Sequence, residues 1–120
     1  MNRTEFYTGI TNTYKEAYEI VKRKTNDYAS EEHPMHNLEL IEKLTNSIDR
    51  NTGIFVRMTD KFSRLGNLLF SKDEKEPQVL DESIDDTILD IINYAAILRE
   101  SLNERKKEKQ KKEEAKKEIS

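Results

Sequence analysis

The sequence predicts an all-α protein, and three observations carry that prediction. Three Gly and two Pro in 120 residues are few for the tight turns of a strand-rich fold. No stretch alternates apolar and polar residues over the length of a strand. Apolar residues recur instead three and four apart in successive segments, which is the spacing of one helix face. The length is that of one domain. Residues 1–103 are expected to form a single helical domain, and residues 104–120 a charged tail that is solvated or disordered.

Each segment has its own justification. The first helix is expected from about Arg3 to Tyr28, with Phe6, Ile10, Tyr14, Ala17, Val21 and Tyr28 as its buried face. It ends before SEEHPMHN, where Pro34 disfavours helix in the residue before it. A second helix starts near Asn37, read as its N-cap, and carries Leu38, Ile41, Leu44 and Ile48. NSIDRNTG over 46–53 is rich in helix-loosening residues. A third helix follows over about Ile54 to Phe70, with Phe55, Met58, Phe62, Leu65 and Leu69 as its apolar face; one longer kinked helix is the alternative. Residues 71–80 read as a loop, and Asp81 or Ser83 then caps a fourth helix. The tail has almost no apolar residue, so it has nothing to pack into a core.

Composition narrows the function classes. There is no Cys, which rules out disulfides and thiolate zinc sites. No apolar run reaches the roughly 20 residues that span a bilayer, and the first residues lack the apolar segment of a signal peptide. A cytoplasmic protein without membrane contact is expected. The net charge of −3 divides into a tail of +3 (eight basic, five acidic) and a body of −6 (13 basic, 19 acidic). So acidic a body is a poor partner for nucleic acid, whose affinity rests on phosphate contacts. Hydrophobic content of 34% against 38% charged is lean, which points to exposed helices or an oligomer that completes the core.

The fourth helix holds the candidate chemistry. Ile84, Ile88, Ile91, Ala95, Leu98 and Leu102 form an apolar stripe, and Glu82, Asp86 and Asp90 a second one, with Asn93 beside it. The acid stripe lies roughly opposite the apolar one, as a solvated face would. Yet Tyr94 and Ile97 lie on or beside the acid side, so this helix is expected at the centre of its bundle. Buried carboxylates there must be paired, hydrated or metal-bound. His33 and His36 flank Pro34 and read as incidental. No nucleophile triad, Gly-rich phosphate loop or zinc spacing occurs. Oxygen ligands on helices favour Mg²⁺ or Mn²⁺, and Lys61 and Arg64 suit phosphate oxygens.

Three ordered elements, KRKTNDYA (22–29), VRMTDKFSRL (56–65) and DESIDDTILDIINYA (81–95), resemble a phage-associated family, the nucleotide modification associated domain. Lys24, Asp27 and Tyr28 match the first; Arg57, Met58, Asp60, Lys61, Arg64 and Leu65 the second; Glu82, Ser83, Asp86, Thr87 and Asp90 the third. That family looks like a branch of the MazG-like all-α nucleoside triphosphate pyrophosphohydrolases. The resemblance implies a four-helix bundle, dimeric or larger, with Mg²⁺ held by acids of two helices. It implies hydrolysis of an NTP or dNTP to monophosphate and pyrophosphate. The first acid motif of that group, Glu-Glu-x-x-Glu, is met only in part by Glu39-x-x-Glu42. The second, Glu-x-x-Asp, is met by Glu82-x-x-Asp85, while Ser83 precedes Asp86.

The expected site therefore has Glu82 and Asp86 as catalytic carboxylates. Asp60, Glu82, Asp86 and Asp90 hold Mg²⁺ or Mn²⁺, Lys61 and Arg64 hold phosphates, and Lys24, Asp27 and Tyr28 contact base or sugar. The structural alternatives are caps, solvated faces and ion pairs between the second and third elements. A catalytically inactive relative, binding a nucleotide or a host protein as a phage regulator, is the rival reading. A purely structural interaction module is the third.

Overall fold

A computed structural model describes residues 1–28, 33–70 and 77–119. They form four helices and no strand: α1 (Arg3–Tyr28), α2 (His36–Thr45), α3 (Arg50–Phe70) and α4 (Pro77–Ile119). The all-α class is as the sequence predicts. α4 is the shared element, packed against α3 on one side and α1 on another, while α2 packs on α3. Its 43 residues, at about 1.5 Å each, account for the 64 Å long axis of the molecule.

The helix boundaries follow local chemistry. Asn2 caps α1: its Oδ1 accepts from the Glu5 backbone N–H at 2.9 Å while its Nδ2 donates to the Glu5 carboxylate. α2 begins at His36 behind Met35, which gives no side-chain cap; Asn37 lies inside the helix and is not its cap. Asn46 ends α2 in the left-handed conformation at φ 54° and donates its N–H to Glu42 O. Asp49 then opens α3, its Oδ1 accepting from Thr52 N–H at 2.7 Å. That bond holds the Asp49 carboxyl below the usual carboxylate range. α2 and α3 are thus two helices, and α3 starts four residues before the expected Ile54. Gly53 permits their close approach, since a Cβ there would stand 3.1 Å from Ile41 Cγ2.

α4 begins at Pro77, before the expected caps Asp81 and Ser83. Proline suits a first helical turn, where its missing N–H is not needed. Residues 71–76 of the expected loop lie outside the described residues. At its other end α4 runs on through 104–119 as exposed helix, and Glu104 and Arg105 are tied to the rest of the fold.

The core is small. Among the described residues its buried apolar side chains are Ala17, Leu38, Ile54, Leu68 and Leu89. Much of the expected apolar surface is uncovered. Among the described residues of the α1 stripe, Ala17 is buried and Val21 half-buried, while Phe6, Ile10 and Tyr14 are exposed. In α3 the line of contact runs through Ile54, Met58, Lys61, Leu65 and Leu68, about one residue round from the expected face. Phe55, Phe62 and Leu69 are left 58%, 55% and 49% exposed. In α4 the expected apolar stripe is half-covered at Ile84, Ile91 and Leu98 and open at Ile88, Ala95 and Leu102. The side of α4 that meets the other helices carries Ser83, Thr87, Asp90, Tyr94, Ile97 and Ser101 instead.

Candidate functional site: a lysine-bridged groove

The four-residue step of the acid stripe advances about 40° around a helix. Glu82 and Asp86, two turns and one turn before Asp90 on α4, are exposed although Leu89 and Asn93 on the same side of the helix are covered, whereas Asp90 lies between α1 and α3. There its two oxygens are taken separately. Lys24 Nζ of α1 donates to Oδ1 at 3.0 Å, and Lys61 Nζ of α3 lies 3.0 Å from Oδ2. Burial works against charge on Asp90, but the hydrogen bonds from Lys61 and Lys24 outweigh it and hold the carboxyl below its ordinary range. One carboxylate thus joins three helices. Each ammonium carries three donors and spends one on Asp90, so both retain capacity for a further acceptor.

Beside this bridge lies a groove of about 700 Å³ between the end of α1, the start of α2 and α4. Lys24, Arg57 and Asp90 mark one end; Val21, Leu38, Tyr94 and Ile97 give it apolar walls; Glu100, Glu104 and Lys107 lie further along α4. Asn93 also lines it, its Nδ2 fixed by donation to Ala17 O at 2.9 Å. At this cationic end Lys24 and Arg57 line the groove with Asp90, and Lys61, which does not itself line it, holds the second Asp90 oxygen from α3. The far wall is fastened by a second network. Arg50 is 1% exposed and donates to Ser101 Oγ at 2.7 Å, Glu39 at 2.8 Å, Glu104 at 3.0 Å and Ser101 O at 3.2 Å. Ser101 Oγ in turn donates to Asn51, and Glu42 accepts from the Arg50 backbone N–H and from Arg105. This network ties α2 and the start of α3 to α4.

Of the expected site residues, the structure brings Lys24, Lys61 and Asp90 together. Asp27, Asp60, Arg64, Glu82 and Asp86 are exposed and line no part of the groove. The Tyr28 side chain lies outside the described residues. Among the described residues no group of three or more His, Asp or Glu is gathered as a metal would need, and no helix is long and apolar enough to cross a membrane. The donor set does not fit a preformed Mg²⁺ or Mn²⁺ centre. Both Asp90 oxygens are engaged by lysines, and Glu82 and Asp86 stand on the outer surface. Arg50 is the site residue that sequence reasoning misses. It stands among residues read as a helix break, and the partners that bury it, Ser101 and Glu104, are 51 and 54 residues away.

Comparison of the chain with family models, with curated proteins and with solved structures finds no match.

Proposed function

We propose that this chain is a nucleotide-binding helical protein whose groove takes an NTP or dNTP, with its phosphates at the Lys24–Lys61–Arg57 end. The observation that carries the reading is the convergence of Lys24 and Lys61 from separate helices on Asp90, beside a groove that Arg57 also lines. The carboxylate positions the two ammonium groups, and their spare donors with the Arg57 guanidinium suit phosphate oxygens. Tyr94, Ile97 and the apolar wall give a base or sugar a surface to rest on.

The resemblance to the nucleotide modification family adds hydrolysis to this reading, with release of monophosphate and pyrophosphate. The double engagement of Asp90 and the outward placement of Glu82 and Asp86 favour binding without turnover, as in an inactive relative. No step is therefore routed through a metal. The small core favours assembly into a homodimer or larger homo-oligomer. The cytoplasm, a phage-infected host's included, is the compartment that suits this reading.

The test is a thermal-shift panel of NTPs, dNTPs and monophosphates, with and without Mg²⁺, on the wild type and on Arg57→Ala. A ligand at 100 times its dissociation constant adds about 2.7 kcal/mol. A shift by triphosphates that the variant loses supports the site, and product analysis then separates binder from hydrolase. No shift with any nucleotide overturns the proposal.

A further inference from the structure

α3 and α4 run antiparallel, since Arg50 meets Ser101 and Lys61 meets Asp90. Their open apolar stripes lie on one side of the pair. On α3, Phe55, Phe62 and Leu69 are rotated by about 80° past the line that faces α4. On α4, the stripe from Ile84 to Leu102 is rotated by a similar angle, in the same sense of numbering, past the residues that face α3. Viewed from one end, antiparallel helices turn in opposite senses, so equal rotations bring both stripes to the same flank. α1 lies on the other flank, where Asn93 holds Ala17 O. The open flank is therefore a two-helix apolar face.

Its composition is unlike the rest of the chain. In a protein with 38% charged residues, the outer shoulder of α3 presents Thr52, Phe55, Val56, Thr59, Phe62 and Ser63, with no charge among them. Depletion of charge marks the centre of protein interfaces rather than free surface. The stripes keep steps of three and four, 55–58–62–65–69 and 84–88–91–95–98–102, which is the seam of a helical bundle. If each half-exposed large side chain withdraws about 100 Å², half an aromatic's usual burial, Phe55, Val56, Phe62, Leu69, Phe70, Ile88 and Leu102 approach the roughly 800 Å² per partner of a stable complex.

The charges that border the face on α4 choose the partner. Asp85 and Arg99 are exposed and stand seven residues on either side of Ile92. Among the described residues Arg99 makes only a loose contact of 3.6 Å, with its neighbour Glu100. An antiparallel second copy of α4, with the two-fold axis near Ile92, sets Asp85 of each chain opposite Arg99 of the other.

We propose that a second copy of this chain covers this face through an isologous two-fold contact, in which α3 and α4 of both copies form a four-helix core. The inference deepens the homo-oligomer part of the functional reading and is independent of nucleotide binding. The test uses the full chain. Light scattering and sedimentation give the mass of the wild type and of Ala95→Glu, whose site is exposed in the single chain, with circular dichroism to follow folding. The wild type is expected as a dimer, and the variant's dissociation constant is expected to rise on the order of a hundredfold. Asp85→Arg and Arg99→Asp should each weaken the dimer, and the pair together should restore it. The chain has no Cys, so Ala95→Cys with a short bis-maleimide should give a covalent dimer, and Glu100→Cys on the groove side should not. A monomer at all concentrations overturns both the face and the oligomer reading. A dimer indifferent to Ala95→Glu and to both charge reversals overturns the face alone.

Discussion

Replacing Arg50 by Ala should cost this protein about 3 kcal/mol, and the structure supplies the parts of that figure. The guanidinium makes its four side-chain bonds while 1% exposed. Bonds to charged groups are worth about 1.5–3 kcal/mol each. Glu39 and Glu104 are 29% and 48% exposed, so they recover water when Arg50 leaves, and each bond is discounted to about 1 kcal/mol. Ser101, fully buried, loses its Arg50 donors but keeps Asn51, which adds about 1 kcal/mol. In a domain of this size that total lowers the melting temperature by about 12 °C. Urea unfolding followed by circular dichroism at 222 nm measures the loss, at wild-type m-value if the native state is otherwise intact. Arg50→Lys keeps the charge without the fork and should lose about half as much. A loss under about 1 kcal/mol for Arg50→Ala would show that this network does not fasten α2 to α4, and the wall of the groove would need another explanation.

Two further predictions follow from the same reasoning. Asp90 has its folded pKa depressed, so its contribution is fully present above its unfolded value near 4 and is lost as the pH falls below that. Asp90→Asn should cost about 1–2 kcal/mol at neutral pH and flatten this part of the acid-unfolding profile, as read by urea midpoints between pH 2 and pH 7; an unchanged profile would remove the bridge from the stability account. Gly9→Ala places a methyl where nothing stands within 4 Å, inside α1 and away from the proposed dimer face, and should raise stability by up to about 1 kcal/mol in thermal melts; a lower melting point would show crowding there.

Much of the helical layout was legible in the sequence because it depends on local signals. The span of α1 follows from its periodicity and from the break around Pro34, and the separation of α2 from α3 follows from residues such as Asn46 and Asp49. Which stripe each helix buries was less legible. Periodicity identifies Phe55, Phe62 and Leu69 as a face, but not what meets it. In this chain Lys61 lies on the contact line because Asp90 receives it. Of the candidate site, the sequence points to Lys24, Lys61 and Asp90 for separate roles, and their meeting is a tertiary fact that no spacing encodes. Glu82 and Asp86 share a stripe with Asp90 but are exposed, while Leu89 and Asn93 on the same side of α4 are covered, so the difference lies along the helix and not in its periodicity. Arg50 gave no local signal, because its role depends on residues half a chain away.

The central claim is that the cationic end of the groove receives nucleotide phosphates. Its most direct test is a calorimetric titration of one nucleoside with none, one, two and three phosphates, at two salt concentrations, into the wild type and Arg57→Ala. The account predicts affinity that climbs with each phosphate, weakens as salt rises, and falls about tenfold in the variant, where one charge-assisted contact is gone. Equal heats for nucleoside and triphosphate, or binding that Arg57→Ala leaves unchanged, would contradict it.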